Sequence, residues 1–395
     1  MRRLAGCATL VLLLTAFAFS QVDRNSLAPT PPMGWNSWNK FGCNVSEDLI
    51  KSVADAVATN GMKDAGYQYI VIDDCWQVSR DVDGNIVADA QRFPSGIKAL
   101  ADYVHTKGLR FGIYSDAGTK TCAGRPGSQG HEYQDALQYA KWGVDYLKYD
   151  WCNTGTRNGE EAYSTMNQAL LSTGRPIVFS ICEWGTNKPW LWAKGIGNLW
   201  RTTGDIQDRW EGKKEWKPGD CCSYGAVDIA DANSELYAFA GPGHWNDLDM
   251  LEVGNGGMTI PEYRAHFSLW ALLAAPLIAG NDVRNMTPDI KEILTNKEVI
   301  AIDQDALGSP GQRVRKDGDF EVWARRIQDG GRAVILFNRS QASADITVNW
   351  EVLGYPSHIS AKIRDLWQHK DVGSATGKYT ANVGGHSVVM LRVMP

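Results

Sequence analysis

Aspartates that follow short, largely apolar runs are the residues of this chain best suited to do chemistry. The runs are 70–72, 111–114, 146–149, 199–201 and 244–246, and the aspartates after them are Asp73, Asp74, Asp116, Asp150, Asp205, Asp247 and Asp249. Such runs predict strands covered on both faces, where a carboxylate is costly unless it has a partner or faces a polar cleft. Parallel strands of a barrel end at one face, where substrates bind. The pattern therefore predicts an enzyme whose carboxylates converge on one site.

Lys148 and Asp150 stand two residues apart at the end of one of these runs. Side chains alternate along a strand, so both are expected to point into the same barrel mouth. A lysine beside a carboxylate favours the ionised form, and only a carboxylate attacks an anomeric carbon. The pair predicts a nucleophilic Asp150. A structural ion pair at the strand end explains these two residues, taken alone, equally well.

Asp205 follows Arg201 by four residues, in a turn softened by Gly204. A general acid must lie close enough to protonate a leaving oxygen, and Asp205 is expected two strands from Asp150. An adjacent arginine would favour the ionised form of Asp205. We therefore expect Arg201 to contact substrate hydroxyls or the nucleophile instead. As a single residue, Asp205 also fits a helix N-cap.

Asp73 and Asp74 are adjacent carboxylates at the end of the second predicted strand. Two neighbouring carboxylates suit a charge-assisted grip on two neighbouring sugar hydroxyls, which would fix the orientation of the sugar. A loop turn or a site for a hard cation explains the same pair.

Two further segments supply candidate binding groups. After the fifth strand-like run, Cys182 is expected as a small buried apolar group and Trp184 as a wall of the pocket. After the seventh run, Asp249 is expected to accept hydrogen bonds from hydroxyls, and Met250 to line the floor.

Strand-like runs alternate with amphipathic helical patterns between about residues 31 and 303. Eight strand candidates begin near Met33, Tyr69, Arg110, Tyr146, Ile177, Asn198, Gly243 and Pro276. The spacing of apolar residues predicts helices over 48–65, with Ser46 as N-cap, and over 226–239. Eight strand–helix repeats predict an α/β fold, a (β/α)8 TIM barrel, rather than a doubly wound sheet.

The pattern changes to short alternating strands after residue 305. The strand candidates are 321–324, 333–337, 346–348, 363–367 and 387–391, with turn residues such as Asp329-Gly330-Gly331 between them. This pattern predicts an antiparallel β-sandwich that packs against the barrel. We expect a catalytic barrel over 21–304 and a C-terminal β-sandwich domain over 305–395.

The N-terminus has the order of regions of a secretory signal peptide. Arg2 and Arg3 precede an apolar run at 10–14 and small residues near Ser20, which predicts that residues 1–20 are removed. We expect an extracellular or cell-wall protein, or a vacuolar or lysosomal one. Once Cys7 is discounted, seven of the eight cysteines remain, so at least one is a free thiol or forms an intermolecular bond. Asn-x-Ser/Thr acceptor motifs occur at Asn44, Asn285 and Asn338, of which Asn285 is the weakest candidate because Pro288 follows Thr287.

Overall charge and composition exclude several classes of partner. A net charge of −5 over 395 residues provides no basic field for nucleic acid or for an anionic membrane. Beyond the N-terminal segment, no apolar run is long enough to span a bilayer. The 16 tryptophans are compatible with stacking on sugar faces, and equally with a core rich in large side chains.

Seven motifs together resemble the α-galactosidases of glycoside hydrolase family 27, especially the plant type. They are Pro32-Met33-Gly34-Trp35-Asn36-Ser37-Trp38, Ile72-Asp73-Asp74-Cys75-Trp76, Gly112-Ile113-Tyr114-Ser115-Asp116, Leu147-Lys148-Tyr149-Asp150, Cys182-Glu183-Trp184-Gly185, Arg201-Thr202-Thr203-Gly204-Asp205 and Asn246-Asp247-Leu248-Asp249-Met250. They occur in the family's order and cover essentially the whole predicted barrel. The resemblance implies a retaining exo-α-galactosidase, without cofactor or metal, that acts on raffinose-type oligosaccharides, galactomannans or galactolipids.

The resemblance also implies residue roles. Asp150 matches the family's nucleophile and Asp205 its acid/base, a retaining pair for which carboxyl groups about 5–5.5 Å apart are expected. Asp73 and Asp74 would hold the 4- and 6-hydroxyls of galactose. The positions that match the galactose pocket are Trp38, Asp73, Asp74, Tyr114, Cys122, Lys148, Cys182, Trp184, Arg201, Asp249 and Met250.

For the cysteines, the resemblance implies disulfides Cys43–Cys75 and Cys122–Cys152. Cys182 would then lie unpaired beside the substrate 2-hydroxyl. Animal-type relatives pair this cysteine with one after strand six, so Cys221 or Cys222 would have to fill that place here. Adjacent cysteines form only a strained vicinal bridge, and the pairing of these three stays open.

Four other activities fit parts of the pattern. An α-N-acetylgalactosaminidase needs small residues, to admit the acetamido group, where this chain has the bulky set Cys182-Glu183-Trp184. The substrate of a β-L-arabinopyranosidase is a pentose, which has no 6-hydroxyl for Asp73 and Asp74 to bind. Carboxylates and a lysine at barrel strand ends also describe a Mg²⁺-dependent enolase-type lyase, which a chelator would inactivate. A galactose-binding lectin without turnover is the fourth alternative.

Overall fold

The structure of this chain is a computed structural model that describes residues 23–214 and 223–395. The expected signal peptide, residues 1–20, lies outside the described residues, as do Cys221 and Cys222. Within the described ranges, none of the helices combines the length and the apolar composition needed to cross a bilayer.

Eight parallel strands form the predicted barrel. In chain order the strands of this part of the chain are β1 (Met33–Asn36), β2 (Tyr69–Val71), β3 (Gln77–Arg80), β4 (Ile86–Ala88), β5 (Arg110–Asp116), β6 (Tyr146–Asp150), β7 (Val178–Cys182), β8 (Leu199–Arg201), β9 (Asp205–Ile206), β10 (Ser223–Tyr224), β11 (Trp245–Asp247) and β12 (Leu277–Ala279). Two short two-stranded sheets, β3-β4 and β9-β10, lie outside the barrel. The barrel order is β11-β8-β7-β6-β5-β2-β1-β12. The two edges of this sheet meet through a parallel bridge between Leu251, which follows β11, and Ala279 of β12. The Leu251 N–H donates to the Ile278 carbonyl at 2.8 Å, and the Leu251 carbonyl accepts the Gly280 N–H at 2.9 Å.

Helices surround this sheet, as the alternating pattern predicts. They are α1 (Trp38–Phe41), α2 (Glu47–Thr59), α3 (Met62–Ala65), α4 (Gly96–Thr106), α5 (Glu132–Trp142), α6 (Gly159–Ser172), α7 (Ala226–Asn233), α8 (Ile260–Leu272), α9 (Pro288–Thr295) and α10 (Lys297–Asp303). Short 3₁₀ helices lie at Arg24–Ser26, Pro189–Leu191, Leu236–Phe239 and Trp350–Leu353.

The first long helix begins as predicted but ends early. The Ser46 hydroxyl accepts a hydrogen bond from the Leu49 N–H, so Ser46 is the N-cap. The prediction of one helix over 48–65 is wrong, because the chain turns at Gly61, whose φ of 99° suits a residue without a Cβ. The predicted helix over 226–239 likewise divides, into α7 and the 3₁₀ helix Leu236–Phe239.

The C-terminal strands form two antiparallel sheets that pack face to face. They are β13 (Gln312–Asp317), β14 (Phe320–Arg326), β15 (Arg332–Asn338), β16 (Ala344–Asn349), β17 (Ser360–Asp365), β18 (Lys370–Thr376), β19 (Lys378–Val383) and β20 (Ser387–Met394). Six of them make one sheet in the order β13-β14-β15-β20-β17-β18, and β16 pairs with β19. A shared core that includes Val334, Val348 and Leu391 joins the two sheets.

The other face of the six-stranded sheet packs on the barrel. Trp323, Phe337 and Met390 from this sheet belong to the same apolar cluster as Phe267 and Trp270 of α8. Burial of this surface joins the two parts into one core.

Two of the three predicted glycan acceptors are exposed. Asn44 and Asn285 face solvent, whereas Asn338 is 0% exposed and its amide donates to the carbonyls of Ala342 and Val383. In the folded protein Asn338 is therefore not accessible as a glycan acceptor, because its amide donates inside the sandwich.

Candidate active site

A cavity of about 1170 Å³ opens at the carboxyl ends of the barrel strands. Twelve of the predicted aspartate and pocket positions line it in the strand order that the sequence predicts, beginning with Trp38 after β1 and ending with Met250 after β11. The described lining residues that the sequence predicts are Trp38, Asp73, Asp74, Tyr114, Cys122, Lys148, Asp150, Trp184, Arg201, Asp205, Asp249 and Met250. The predicted convergence of strand-end side chains thus occurs at one mouth.

Asp150 ends β6 and is only 6% exposed. One carboxylate oxygen accepts the Tyr114 hydroxyl at 3.0 Å, and the other accepts the Trp151 backbone N–H at 2.9 Å. Burial raises the pKa of Asp150 to about 6, against the opposing charge of Lys148 and with a further rise from Asp205. Both oxygens of Asp150 are held in place, and the carboxylate still lines the cavity.

Lys148 pairs with Asp73 rather than with Asp150. Its ammonium lies 2.8 Å from an Asp73 carboxylate oxygen, which also accepts the Asn36 side-chain amide at 2.7 Å. The expected direct Lys148–Asp150 pair is therefore wrong, because the long lysine side chain reaches across the mouth to β2. Lys148 still lowers the pKa of Asp150 through space, but burial has the larger effect and the net direction is upward.

Arg201 contacts Asp205 and Asp249 together. Its guanidinium is 2.7 Å from Asp249 and 3.1 Å from Asp205. The expectation that Arg201 contacts substrate hydroxyls or the nucleophile instead of Asp205 is wrong as far as Asp205 is concerned, while a contact with substrate stays a prediction. Asp249 is the closer partner of the two. Asp205 has a side chain that is 42% exposed, far more than that of Asp150.

Asp74 is held by backbone donors at the cavity edge. Its carboxylate accepts the N–H groups of Cys75 at 2.6 Å and Ala123 at 2.8 Å, and burial raises its pKa. The Cys75 backbone has a φ of 79°, which turns the chain sharply after β2. The disulfides Cys43–Cys75 and Cys122–Cys152 are both present, with Cα–Cα distances of 5.1 Å. They tie the loops after β1, β2, β5 and β6 around this edge.

Cys182 is buried and is not among the described residues that line the cavity. Among the described residues it is a free cysteine, whose sulfur lies 3.7 Å from the Arg201 guanidinium, and burial raises its pKa. The burial of Cys182 agrees with the small buried group predicted from the sequence, whereas its place beside the sugar, implied by the resemblance, is not among the described lining residues. Its pairing with Cys221 or Cys222, which lie outside the described residues, stays open.

Trp38, Trp184 and Met250 supply apolar wall around these carboxylates. Trp184 has a φ of 60°, and a Cβ at the following Gly185 would overlap the Thr202 carbonyl. This turn requires a glycine, and it presents the tryptophan to the cavity.

Comparison with known proteins identifies the family. The alpha galactosidase A family model matches residues 30–305, and the model of the alpha galactosidase C-terminal beta sandwich domain matches residues 317–393. The chain belongs to the α-galactosidases of glycoside hydrolase family 27. Its activity is that of a glycoside hydrolase, an α-galactosidase.

Individual relatives match over nearly the whole chain. An alpha-galactosidase A of Cellvibrio japonicus is 51% identical over 99% of this chain and 98% of its own length. The crystal structure of alpha-galactosidase I from Mortierella vinacea has a TM-score of 0.91 at 44% identity, covering 94% of this chain and 98% of its own. A structure of the α-galactosidase of Saccharomyces cerevisiae with raffinose has a TM-score of 0.89 at 33% identity, covering 94% and 99%.

Two of the strand-end aspartates of this α-galactosidase do not line the cavity. Asp116 accepts the backbone N–H groups of Gly118 at 2.6 Å and Cys152 at 2.9 Å, and Asp247 accepts that of Asp249 at 2.9 Å. Burial, and then the charge of Asp150, raises the pKa of Asp116 to about 9. Both aspartates hold the loops that carry the lining residues.

Acid and sulfur atoms cluster beside Asp150 without making a metal site. Ligand atoms of Asp116, Cys122, Asp150 and Cys152 lie within 4.8 Å of one another. Because the two sulfurs form a disulfide, neither is available as a thiolate, the form in which cysteine binds a metal.

One side of the cavity carries a polar group that the strand pattern of the sequence does not predict. Asn39, Glu252 and Asn255 all line it, and the Glu252 carboxylate accepts the side-chain amides of both asparagines. Burial raises the pKa of Glu252 to about 7. The only signal in the sequence is the position of Glu252 three residues after Asp249. Gln207, Asp208 and Trp151 also line the cavity and were not predicted, because they lie in loops where no apolar pattern marks them.

Proposed function

We propose that this α-galactosidase is an exo-acting, retaining enzyme in which Asp150 is the nucleophile and Asp205 the acid/base. The observation that carries the proposal is the contrast between two carboxylates on one cavity. Asp150 is buried and fixed by Tyr114 and by a backbone N–H, whereas Asp205 is exposed enough to exchange protons with water. A retaining mechanism needs two carboxyl groups with different roles on either side of the scissile bond, and it predicts that they lie about 5–5.5 Å apart.

In the first step an Asp150 oxygen attacks the anomeric carbon, and the bond from that carbon to the leaving oxygen breaks. Asp205 gives its proton to this oxygen, so the aglycone departs as an alcohol and a glycosyl ester remains on Asp150. The Tyr114 hydroxyl and the Trp151 N–H orient the attacking carboxylate and do not themselves transfer a proton.

In the second step water attacks the anomeric carbon from the side that the aglycone has left. Asp205 takes the proton of this water, and the ester bond to Asp150 breaks to release galactose of the original α configuration. Asp205 ends protonated and Asp150 ionised, which restores the starting state.

Charged pairs at the base of the cavity support the recognition of galactose. Asp73 pairs with Lys148, whose ammonium has two further N–H donors for sugar hydroxyls after it has bound Asp73. Asp74 lies next to Asp73 in the chain and also lines the cavity. We assign to these residues the 4- and 6-hydroxyls, whose positions distinguish galactose from glucose and from a pentose.

Terminal α-galactosides are the proposed substrates, with raffinose-type oligosaccharides first among them. The related Saccharomyces cerevisiae enzyme was crystallised with raffinose, and the cavity here has a volume larger than one sugar ring needs. Galactomannans and galactolipids present the same terminal unit.

We also propose the domain limits and the destination of the chain. The last barrel helix ends at Asp303 and the first sandwich strand begins at Gln312, which supports a catalytic unit over 21–304 and a C-terminal domain over 305–395. Two disulfides support passage through an oxidising compartment, and hence removal of residues 1–20 as a signal peptide.

Hydrolysis of a sugar panel tests the substrate. Rates are measured on the nitrophenyl α-galactoside, α-N-acetylgalactosaminide and β-L-arabinopyranoside, and the galactoside is expected to be hydrolysed fastest. A higher kcat/KM for either of the other two sugars contradicts the assignment of Asp73 and Asp74.

Substitution and product analysis test the mechanism. Asp150→Asn is expected to lose nearly all hydrolysis while it still binds galactose, and NMR of the first product is expected to show α-galactose. Asp205→Asn is expected to recover turnover of an aryl α-galactoside with azide, which attacks the glycosyl ester without needing a base, to give α-galactosyl azide. Release of β-galactose by the unmodified enzyme, or full activity of Asp150→Asn, disproves the mechanism.

A further inference from the structure

The loop that carries Asp205 runs away from the cavity and ends against the C-terminal domain. Asp205 and Ile206 form β9, which pairs with β10, and Trp210 follows four residues later. On the barrel side the loop has two anchors. The Ile206 N–H donates to Asp249 at 2.7 Å, and Asp208 accepts the Tyr263 hydroxyl at 3.0 Å.

The far end of this loop is held by side chains of the β-sandwich. The Trp210 ring is 7% exposed and stacks on His386, with ring centroids 5.0 Å apart and planes 19° from parallel. Phe337 of β15 meets the same ring edge-on at 5.6 Å. Trp210 Nε1 has no hydrogen-bond partner among the described residues, so packing holds the ring.

His386 is itself fixed against both domains. One ring nitrogen lies 2.7 Å from Glu262, at the start of α8, and the other lies 3.0 Å from the Gln341 side chain. The surface on which Trp210 rests is therefore held by hydrogen bonds at both ring nitrogens of His386, and it is built from sandwich and barrel together.

A second connection joins the same loop to the sandwich. The Trp210 carbonyl accepts the Val227 N–H at 2.9 Å, near the first turn of α7. Farther along α7, Asp231 is 2.9 Å from the Arg339 guanidinium of the sandwich and also pairs with Arg313. The loop that carries Asp205 thus has two connections with the C-terminal domain, one directly through the Trp210 side chain and one indirectly through α7.

We propose that the C-terminal β-sandwich domain positions Asp205 for proton transfer, with Trp210 as the positioning residue held between Phe337 and His386. The inference rests on the proposed role of Asp205 as acid/base. It gives the sandwich a part in the reaction, although no sandwich residue is among the described residues that line the cavity. A carboxyl group on a loop needs such support, because a shift of about 1 Å in a catalytic group can cost about 100-fold in rate.

Dependence on the leaving group distinguishes this role from simple stabilisation. A dinitrophenyl group departs as a stable anion and needs no proton, whereas the sugar alcohol released from melibiose needs one. The ratio of kcat/KM for melibiose to kcat/KM for the dinitrophenyl α-galactoside therefore reports proton donation by Asp205. The ratio does not depend on how much of a variant is folded, because the active fraction cancels.

Trp210→Ala is the test variant, and Trp367→Ala is its matched control. Trp367 is also an aromatic residue of the sandwich that packs on α8, with its Nε1 2.9 Å from the Ser268 hydroxyl, but it makes no contact with the Asp205 loop. His386→Ala removes the stacking partner of Trp210 on the sandwich, and it replaces Trp210→Ala as the test variant if Trp210→Ala does not fold. Trp210→Phe keeps an aromatic ring and loses no hydrogen bond.

We expect Trp210→Ala and His386→Ala to lower this ratio by about tenfold or more, and Trp210→Phe and Trp367→Ala to change it by less than about twofold. A fall of less than about fivefold in both Trp210→Ala and His386→Ala, or an equal fall in Trp367→Ala, overturns the proposal. Asp205→Asn in the same assay separates the two claims. If Asp205→Asn leaves the ratio unchanged, the role of Asp205 is wrong; if it lowers the ratio and the test variants do not, only the role of the sandwich is wrong.

Discussion

Removal of one hydroxyl group is expected to change the pH at which the nucleophile ionises. The Tyr114 hydroxyl donates to an Asp150 carboxylate oxygen at 3.0 Å, and both groups are nearly inaccessible. This hydrogen bond favours the ionised form of Asp150, because a carboxylate accepts more strongly than a carboxylic acid. Tyr114→Phe deletes the donor and keeps the ring, so the pKa of Asp150 should rise above about 6.

The size of the shift follows from the energy of the bond. A hydrogen bond to a charged group contributes about 1.5–3 kcal/mol, and one pKa unit corresponds to about 1.4 kcal/mol, which bounds the rise at about one to two units. Asp150 faces the open cavity, so water can replace part of the lost bond. We therefore expect a rise of about one unit, from about 6 to about 7.

The assay is the pH dependence of kcat/KM on an aryl α-galactoside. Its acid limb reports ionisation of the free enzyme, and activity falls as the pH drops through the pKa of a nucleophile that must be ionised. Tyr163→Phe is the matched control. Tyr163 is also a fully buried tyrosine, but its hydroxyl donates to the backbone carbonyls of Tyr149 and Asp150 at 3.1 and 3.3 Å, not to the carboxylate.

Two results would refute the reasoning. An acid limb in Tyr114→Phe within about 0.3 units of the unmodified enzyme would show that this hydrogen bond does not set the ionisation of Asp150. An equal upward shift in Tyr163→Phe would show that loss of any buried hydroxyl near β6 moves the limb, and the specific contact would then explain nothing.

Three further predictions concern the surroundings of this carboxylate. Lys148→Met is expected to lower the free energy of unfolding by about 3–5 kcal/mol, because Asp73 is left as a buried unpaired charge, and adding Asp73→Asn should recover part of the loss in urea unfolding. Replacing Cys122 and Cys152 together by alanine is expected to cost about 3–4 kcal/mol in guanidinium unfolding, from the chain entropy of a 30-residue separation; a loss under about 1 kcal/mol would contradict this. Asp116→Asn is expected to leave the acid limb of kcat/KM in place, since burial keeps Asp116 protonated at the pH where Asp150 titrates; a limb shifted downward would show that Asp116 carries a charge there.

The barrel was predictable because its strands are distinctive in the sequence. Each of the eight predicted runs contains or overlaps a parallel strand, since strands covered on both faces must be continuously apolar. The strands missed in the sandwich, such as β18 (Lys370–Thr376), are largely exposed, so no apolar alternation marks them. The break in the first long helix was missed because Met62 and Ala65 continue the apolar spacing beyond the turn at Gly61.

The identity of the site residues was more predictable than their pairing. Side chains alternate along a strand, so Lys148 and Asp150, two residues apart, lie on one face. This alternation gives the direction in which a side chain leaves the strand, but not how far the side chain reaches across the barrel. Lys148 accordingly spans to Asp73, which belongs to a strand that is not its neighbour in the sheet. The contact between Arg201 and Asp205 was misjudged because Asp249, the third member of the group, lies far away in the sequence.

The corrected pairing explains how Asp150 is poised. Had Lys148 bound Asp150 directly, a strong ion pair would have kept the carboxylate ionised but would also have lowered its nucleophilicity. In the observed arrangement two cations of the cavity are each bound closely by another carboxylate, Lys148 by Asp73 and Arg201 by Asp249. Asp150 is left with hydrogen bonds alone and with burial as the largest influence on its pKa. A carboxylate held by two fixed donors, with its nearest cation not in direct contact, is more ready to form a bond to carbon, because less electrostatic stabilisation is lost when its charge disappears.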